Sequence, residues 1–356
     1  MLALCVVCYH APNNKIFGRY MLSGATAVEG FFIVSGFLIT MILQTRPAYR
    51  SLAKFYLSRY LRLWPAYIVV AILSLTIVKH DWVESLAKFD WPSMAFVIAT
   101  NAVIFFQDLY PFFAITADGT SIFPTSHFLT EPGRQFWTLL LIPPSWTLGI
   151  ELFFYAMAPY FCRSGKRLLV LFAMSVMVRI YLGTITPPLG DPWVYRFWPA
   201  EMAFFAAGGL AYLGGDWLVQ RVSPATLRFL GWTCIASTIA VVFKWVPSPG
   251  AVSLPFFILN PLALACIFIS CPILFFTFRD NRTDSMIGEL SYPIYLSHYF
   301  MLESITLYAP QLWVNGNVFY VMATLALSVA LLKFVILPTD RIRSRFGARR
   351  PEVVER

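Results

Sequence analysis

Eleven apolar stretches recur along the chain, at 1–10, 25–43, 63–78, 94–106, 146–161, 168–183, 198–213, 229–246, 252–278, 290–308 and 317–337. Short polar segments part them. Most approach the roughly 20 residues at which a helix, rising about 1.5 Å per residue, crosses a hydrocarbon core of about 30 Å. Lys, Arg, Asp and Glu together supply 13% of the 356 residues, against 58% hydrophobic ones. That balance excludes an ordinary soluble domain and a solvated disordered chain alike. Six cysteines scattered through apolar runs do not make a disulfide framework. The fold class that remains is all-α, a polytopic membrane protein.

The net charge of +9 does not point to nucleic acid, because the basic residues fall in particular loops and read as topology signals. The 94–106 stretch is too short for a confident crossing and is taken as re-entrant or interfacial, which leaves about ten transmembrane helices. With 44–62 placed inside, the inner segments hold Arg46, Arg50, Lys54, Arg59, Arg62, Arg163, Lys166, Arg167, Arg221, Arg228, Arg279, Arg282 and six arginines from Arg341 onward. The outer segments hold only Lys15, Arg19, Lys79, Lys88, Arg134 and Arg196. Both termini are therefore expected inside. A short helix around 136–141 is a candidate for a second crossing that would leave the parity unchanged.

The longest polar stretch, 107–145, is rich in aromatics, Pro and Gly and suits a folded outer cap, so any chemistry belongs among the helices. The chain has no fixed-period repeat and no Walker or dinucleotide glycine pattern, against a nucleotide-driven pump. Cys5 and Cys8 have redox spacing but sit in an apolar helix, where core packing is favoured. His10, His80, His127 and His298 show no metal-ligand spacing, and no metal site is expected.

Ionisable residues inside a bilayer are costly and therefore informative. Glu29, Glu151, Arg179, Glu201, His298 and Glu303 lie within the apolar stretches, and His10 ends the first. Glu29 falls about 6 Å, and Glu151 about 7.5 Å, below the outer ends of their helices. With His10 they are expected to converge on the outer half of the membrane, where a histidine held by a carboxylate can act as general base. The alternative is that each carboxylate bonds a neighbouring helix. On the inner side Arg59 and Arg62, three apart, share a helix face. Two guanidiniums on one face suit phosphates, or equally anchor the helix to anionic lipid headgroups.

Four motifs carry a resemblance. They are Val28-Glu29-Gly30-Phe31-Phe32 leading to Ser35-Gly36-Phe37 and Thr40; the 59–67 segment; Trp146-Thr147-Leu148-Gly149-Ile150-Glu151 with Phe154-Tyr155 and Pro159; and Gly288-Glu289-Leu290-Ser291-Tyr292-Pro293-Ile294-Tyr295 with His298. In these the chain resembles the acyltransferase-3 family of bacterial integral membrane acyltransferases over nearly its whole length. The resemblance implies a core of about ten transmembrane helices in the bacterial inner membrane. It also implies transfer of an acyl group, acetyl above all, from cytoplasmic acyl-CoA to a hydroxyl of a cell-surface glycan or glycolipid. His10 is then the base or a transient acyl carrier, Glu29 and Glu151 orient it, and Arg59 and Arg62 receive the CoA phosphates. Acyl-CoA is the co-substrate, and the partners are the bilayer and the glycan acceptor, with no metal and no nucleic acid. Residues 1–338 form the transmembrane domain and 339–356 a basic cytoplasmic tail. A transporter of a glycan or lipid precursor, or a noncatalytic member, are the rival readings.

The family's first helix carries an arginine eleven residues before its histidine. Counted from His10, that arginine would stand two residues ahead of Met1. A helix of 1–10 spans only about 15 Å, so the first helix is expected to be truncated and the natural chain to begin further upstream.

Overall fold

The structure, a computed structural model, describes residues 1–12, 22–126, 135–185, 191–244, 256–315 and 317–345. Within them the chain is all-α apart from one small hairpin, and every apolar stretch forms helix. The helices are α1 (Leu2–His10), α2 (Gly24–Thr45), α3 (Leu52–Leu73), α4 (Trp82–Leu86), α5 (Trp91–Val103), α6 (Trp146–Phe161) and α7 (Gly165–Ile185). They continue with α8 (Trp198–Val219), α9 (Pro224–Lys244), α10 (Phe256–Phe278), α11 (Arg282–Tyr308), α12 (Val318–Leu331) and α13 (Leu337–Arg343). Among the described residues six helical segments are long and apolar enough to cross a bilayer: Gly24–Thr45, Leu52–Val78, Gly165–Ile185, Trp198–Val219, Pro261–Phe278 and Val318–Arg343. The protein is thus an all-α polytopic membrane protein, with six of the ten expected crossings qualifying on length and apolarity. The last of these runs through Pro338 without a break, a π turn at Leu332–Ile336 joining α12 to α13.

The outward faces are apolar. In α7, Leu168, Leu171, Ser175 and Leu182 are buried. Met174, Met177, Ile180 and Tyr181 on its other side are each more than half exposed. A soluble helix shows the reverse, so hydrocarbon is the surrounding that such a face requires.

α2 is the central helix, packed against α1, α6, α8 and α10. Its N-terminus is capped by Ser23, whose Oγ accepts from the Thr26 N–H at 3.2 Å. Its crossing with α8 is made backbone to backbone by two glycines. A Cβ added to Gly36 would lie 1.9 Å from the Phe205 carbonyl oxygen, and one added to Gly208 would lie 1.9 Å from the Ile33 carbonyl oxygen. Helices in lipid gain little from hydrophobic association with each other, so close approach at small residues is what holds them. Phe32 and Phe154 stack on Phe205 at 4.5 and 4.3 Å beside this crossing.

The 94–106 stretch forms the 13-residue helix α5, about 20 Å long and too short to span. Asp90 caps it by accepting from the Ser93 N–H at 3.0 Å. Its exit turns at Ile104 and Phe106, whose φ angles are +72° and +67°. The chain then enters a turn at Gln107–Phe112 and the antiparallel hairpin of β1 (Phe113–Ile115) and β2 (Ile122–Pro124). Asn101 satisfies the returning backbone: its Nδ2 donates to the Leu139 carbonyl at 3.2 Å and its Oδ1 accepts from the Leu141 N–H at 2.9 Å. The 136–141 segment, expected as a candidate crossing, is a single 3-10 turn over Phe136–Leu139. Its backbone is claimed by Asn101 and Trp82, the latter donating to the Leu139 carbonyl at 2.9 Å, and no membrane-length helix forms. Asp108 is pressed against Gly149, where an added Cβ would stand 2.9 Å from its Oδ1. Burial pushes its carboxyl up to about 7.

The crossing of α2 and α8 yields a direct expectation. Gly36→Ala or Gly208→Ala forces backbone apart and costs at least about 3 kcal/mol, seen as loss of folded protein or a melting temperature lower by many degrees in detergent. Gly183→Ala, with nothing within 4 Å of the added Cβ, leaves melting unchanged. Equal melting of all three variants contradicts this packing.

Candidate functional site

Polar side chains gather in four places along the bundle. At the end where α2 finishes and α3 begins, the end assigned by charge to the cytoplasm, α3 presents Arg59 and Arg62 one turn apart. The Arg59 guanidinium lies over the Tyr49 ring at 5.9 Å, and its Nη2 donates to Ser58 Oγ at 3.3 Å. Arg62 approaches Asp340 at 3.6 Å, and Arg343 approaches the same carboxylate at 3.1 Å. Arg163 donates to the Tyr49 carbonyl at 2.8 Å. Asp340 is the one carboxylate in these contacts, so the rim carries a net positive charge. The Nε atoms of Arg59 and Arg343 are buried without a hydrogen-bond partner among the described residues. Donors held ready in this way suit an anion with several oxygens.

A second cluster surrounds Glu151 of α6. Ser35 Oγ donates to Glu151 Oε1 at 2.8 Å, and the Tyr155 hydroxyl, one turn further along α6, donates to the same oxygen. Tyr292 is part of this neighbourhood and donates to the Leu63 carbonyl at 2.7 Å. Glu151 was expected beside His10. It turns instead toward hydroxyl donors on α2 and on its own helix, because a carboxylate among apolar helices takes the nearest donors that its position allows.

Glu29 was likewise expected to orient His10, and it does not. It pairs with Arg179 of α7, which also donates to Glu201 of α8 at 2.8 Å. Arg179 further donates to the Val194 carbonyl at 3.1 Å. Glu29 and Glu201 are 4% and 0% exposed, and charges so buried persist only when paired. The group fastens three helices and the segment before α8 together. For Glu29 the neighbouring-helix reading therefore holds.

His10 ends α1 beside α11. Its ring centroid lies 5.1 Å from that of His298 and 5.6 Å from that of Tyr299. Its Nδ1 is 3.1 Å from the Val6 carbonyl. Since a carbonyl only accepts, Nδ1 carries the proton and Nε2 presents a lone pair. A backbone carbonyl thus does what a carboxylate was expected to do. One turn inward, the Tyr295 hydroxyl is 2.8 Å from Thr147 Oγ1 and 3.0 Å from the Pro144 carbonyl, tying α11 to the start of α6. Further along α11, Lys79 donates to Glu303 at 2.8 Å.

The structure therefore brings together Arg59 and Arg62, adds Arg343, and separates His10 from both expected carboxylates. Tyr292, Tyr295 and His298 of α11 form a polar line between the two ends, and from Tyr292 to His298 the helix rises only about 9 Å. Ser35, Tyr155, Tyr292 and Tyr295 each lie inside a quoted motif, but a hydroxyl among apolar residues carries no charge signal to mark it as part of a site. Arg343 had counted only as a topology charge. Cys5 and Cys8 are buried in the packing of α1. Among the described residues no group of three or more His, Cys, Asp or Glu could hold a metal ion. His127 lies outside the described residues, as do Lys15, Arg19 and Arg134.

A family model described as an acyltransferase domain matches residues 1–333. The chain belongs to this acyltransferase family. It is similar to the peptidoglycan O-acetyltransferase OatA of Listeria monocytogenes serovar 1/2a, at 26% identity over 374 residues. That match covers 95% of this chain and 54% of OatA, so the chain spans about half the length of this relative. No solved structure matches. The matched region contains every cluster described above except the α13 contribution of Asp340 and Arg343 to the basic rim.

The three-helix ion group can be tested by charge balance. Arg179→Met leaves two buried carboxylates unpaired and destabilises the acyltransferase domain by about 3–5 kcal/mol. Adding Glu29→Gln and Glu201→Gln to Arg179→Met removes the uncompensated charge and recovers much of that loss in a thermal melt. A triple variant no more stable than Arg179→Met contradicts the assignment.

Proposed function

We propose that this protein transfers an acyl group, acetyl above all, from cytoplasmic acyl-CoA to a hydroxyl of a cell-surface glycan or glycolipid, within the bacterial inner membrane. One observation carries the proposal: a basic rim with unpartnered guanidinium nitrogens stands at one end of a polar line, and a histidine with a bare Nε2 stands at the other. Membership in the acyltransferase family supports the reaction class. Likeness to a peptidoglycan O-acetyltransferase supports a glycan acceptor.

In this reading Arg59, Arg62 and Arg343 hold the phosphates of acyl-CoA, for which fixed guanidinium forks are well shaped. The acyl thioester then extends inward past Tyr292, Glu151 and Tyr155. His10 Nε2 removes the proton of the acceptor hydroxyl as its oxygen attacks the thioester carbon. The carbon–sulfur bond breaks, and the CoA sulfur leaves as a thiolate that takes up a proton to become the free thiol. Glu151, held by Ser35 and Tyr155, borders the route of the donor instead of orienting the base. Lipid-packed helices exclude water, which protects the thioester from hydrolysis and strengthens each electrostatic contact.

The test uses purified protein with radiolabelled acetyl-CoA and a glycan acceptor. Arg59→Ala with Arg62→Ala weakens acetyl-CoA binding by about tenfold or more, since each charge-assisted contact contributes on the order of 1 kcal/mol. His10→Ala slows transfer by about 10²-fold or more with binding retained. Turnover that is undetectable in the unaltered protein supports a noncatalytic member, and acceptor movement without acylation supports a transporter. Equal transfer by wild type and His10→Ala removes the histidine from the chemistry.

A further inference from the structure

The relocation of Glu29 and Glu151 leaves a question of chemistry at the outer end. A base that takes a proton in a buried, apolar place needs a group to receive the resulting cation. The carboxylates that would ordinarily serve are committed to Arg179, Ser35 and Tyr155. What stands beside His10 is a second imidazole.

His298 is fully buried, at 0% exposure. Its Nδ1 lies 2.6 Å from the Tyr295 carbonyl, so Nδ1 carries the proton and the tautomer is fixed. Its Nε2 is buried and without a hydrogen-bond partner among the described residues. A core histidine that serves only packing leaves such a lone pair unused at a cost of about 1–3 kcal/mol. The His10 ring, 5.1 Å away with an interplanar angle of 45°, is held in the same manner by the Val6 carbonyl. Two imidazoles on different helices thus each give Nδ1 to their own backbone and keep Nε2 free. A bridging water can donate to both lone pairs, and once one Nε2 has taken a proton it can donate to the other.

We infer that His298 is the proton-sharing partner of His10, so that the proton taken from the acceptor hydroxyl is held between the two Nε2 atoms until the departing CoA thiolate takes it. The inference rests on the acyl-transfer reading above. It makes His298 a positioning residue, acting on the reaction through His10. The proton balance is closed: one leaves the hydroxyl, one imidazole pair holds it, and the thiolate receives it. Among the described residues the other titratable or charged groups around the pair are Cys8 and Tyr9 of α1, and Tyr295, Tyr299 and Glu303 of α11, with Lys79 paired to Glu303. Tyr320 of α12 packs against the same face, and Arg196 ahead of α8 is within electrostatic reach of His10. Glu303, the one carboxylate in this set, gives Oε1 to Lys79, while its Oε2 is buried without a hydrogen-bond partner among the described residues.

The experiment measures kcat against pH for wild type, His10→Ala and His298→Gln with acetyl-CoA and a glycan acceptor, together with the KM for acetyl-CoA and the melting temperature. A partner that shares the proton makes His10 a stronger base, and its removal makes His10 weaker. His298→Gln is therefore expected to lower kcat about tenfold or more, leave the KM for acetyl-CoA unchanged, and move the acidic limb of the profile down by about one pH unit. His298→Asn gives the same profile. If His10→Ala is inactive while His298→Gln superimposes on wild type, His298 is a packing residue and the inference fails alone. If His10→Ala remains active, the acyl-transfer role of His10 fails first. Imidazole nitrogen NMR of the unaltered protein decides the matter if both His298 variants misfold. Coupled titration of the two rings supports the pair, and two independent titrations overturn it.

Discussion

Close approach of α2 to α8 at Gly36 and Gly208 is the constraint on which the rest of the bundle depends. Only the absence of both Cβ atoms lets the two backbones meet at carbonyl distance, and in lipid such contact replaces the hydrophobic drive that packs soluble helices. Once the crossing is fixed, the polar residues of α2 have defined addresses. Ser35, next to Gly36, faces Glu151 on α6. Glu29, two turns earlier, faces Arg179 on α7. Phe32 and Phe37, between and after them, fill the apolar volume on either side.

Charge inside the bundle falls into separate groups. The Glu29–Arg179–Glu201 group ties α2, α7 and α8 through one guanidinium, with Glu201 Oε2 left without a hydrogen-bond partner among the described residues, and removing Arg179 strands both carboxylates. The basic rim and the histidine pair, to which the proposed function gives the binding and proton-transfer roles, keep nitrogen atoms buried and unpartnered among the described residues. α11 joins the two ends, and its polar side makes it the longest helix yet not one of the six apolar enough to qualify as a span.

Much of this was legible from sequence, and the limits have physical causes. Apolar length located the helices, since a hydrocarbon core dictates how many residues a crossing needs, and the shortness of 94–106 foretold a segment that does not cross. Depth along a helix can also be counted at 1.5 Å per residue, which gives Glu29 and Glu151 a height along their own helices. Height is one coordinate only. The direction in which Glu29 and Glu151 point depends on helix rotation and on which neighbours supply donors, and those are set by the α2–α8 crossing. Arg179 carried the missing signal, a lone cation in an apolar helix that requires a buried anion. Arg343 lay hidden among tail arginines because a charge count does not show that α12 continues unbroken into α13.

In the proposed function, donor and acceptor are handled at opposite ends of one polar line. The most direct measurement reconstitutes the protein in one orientation in sealed vesicles, with radiolabelled acetyl-CoA supplied only on the side of the Arg59–Arg62–Arg343 rim and a membrane-impermeant glycan acceptor enclosed on the other. The account predicts labelled glycan inside the vesicles and unlabelled CoA thiol remaining outside. Label found only on acceptor supplied to the same side as acetyl-CoA, with none across the membrane, would contradict it.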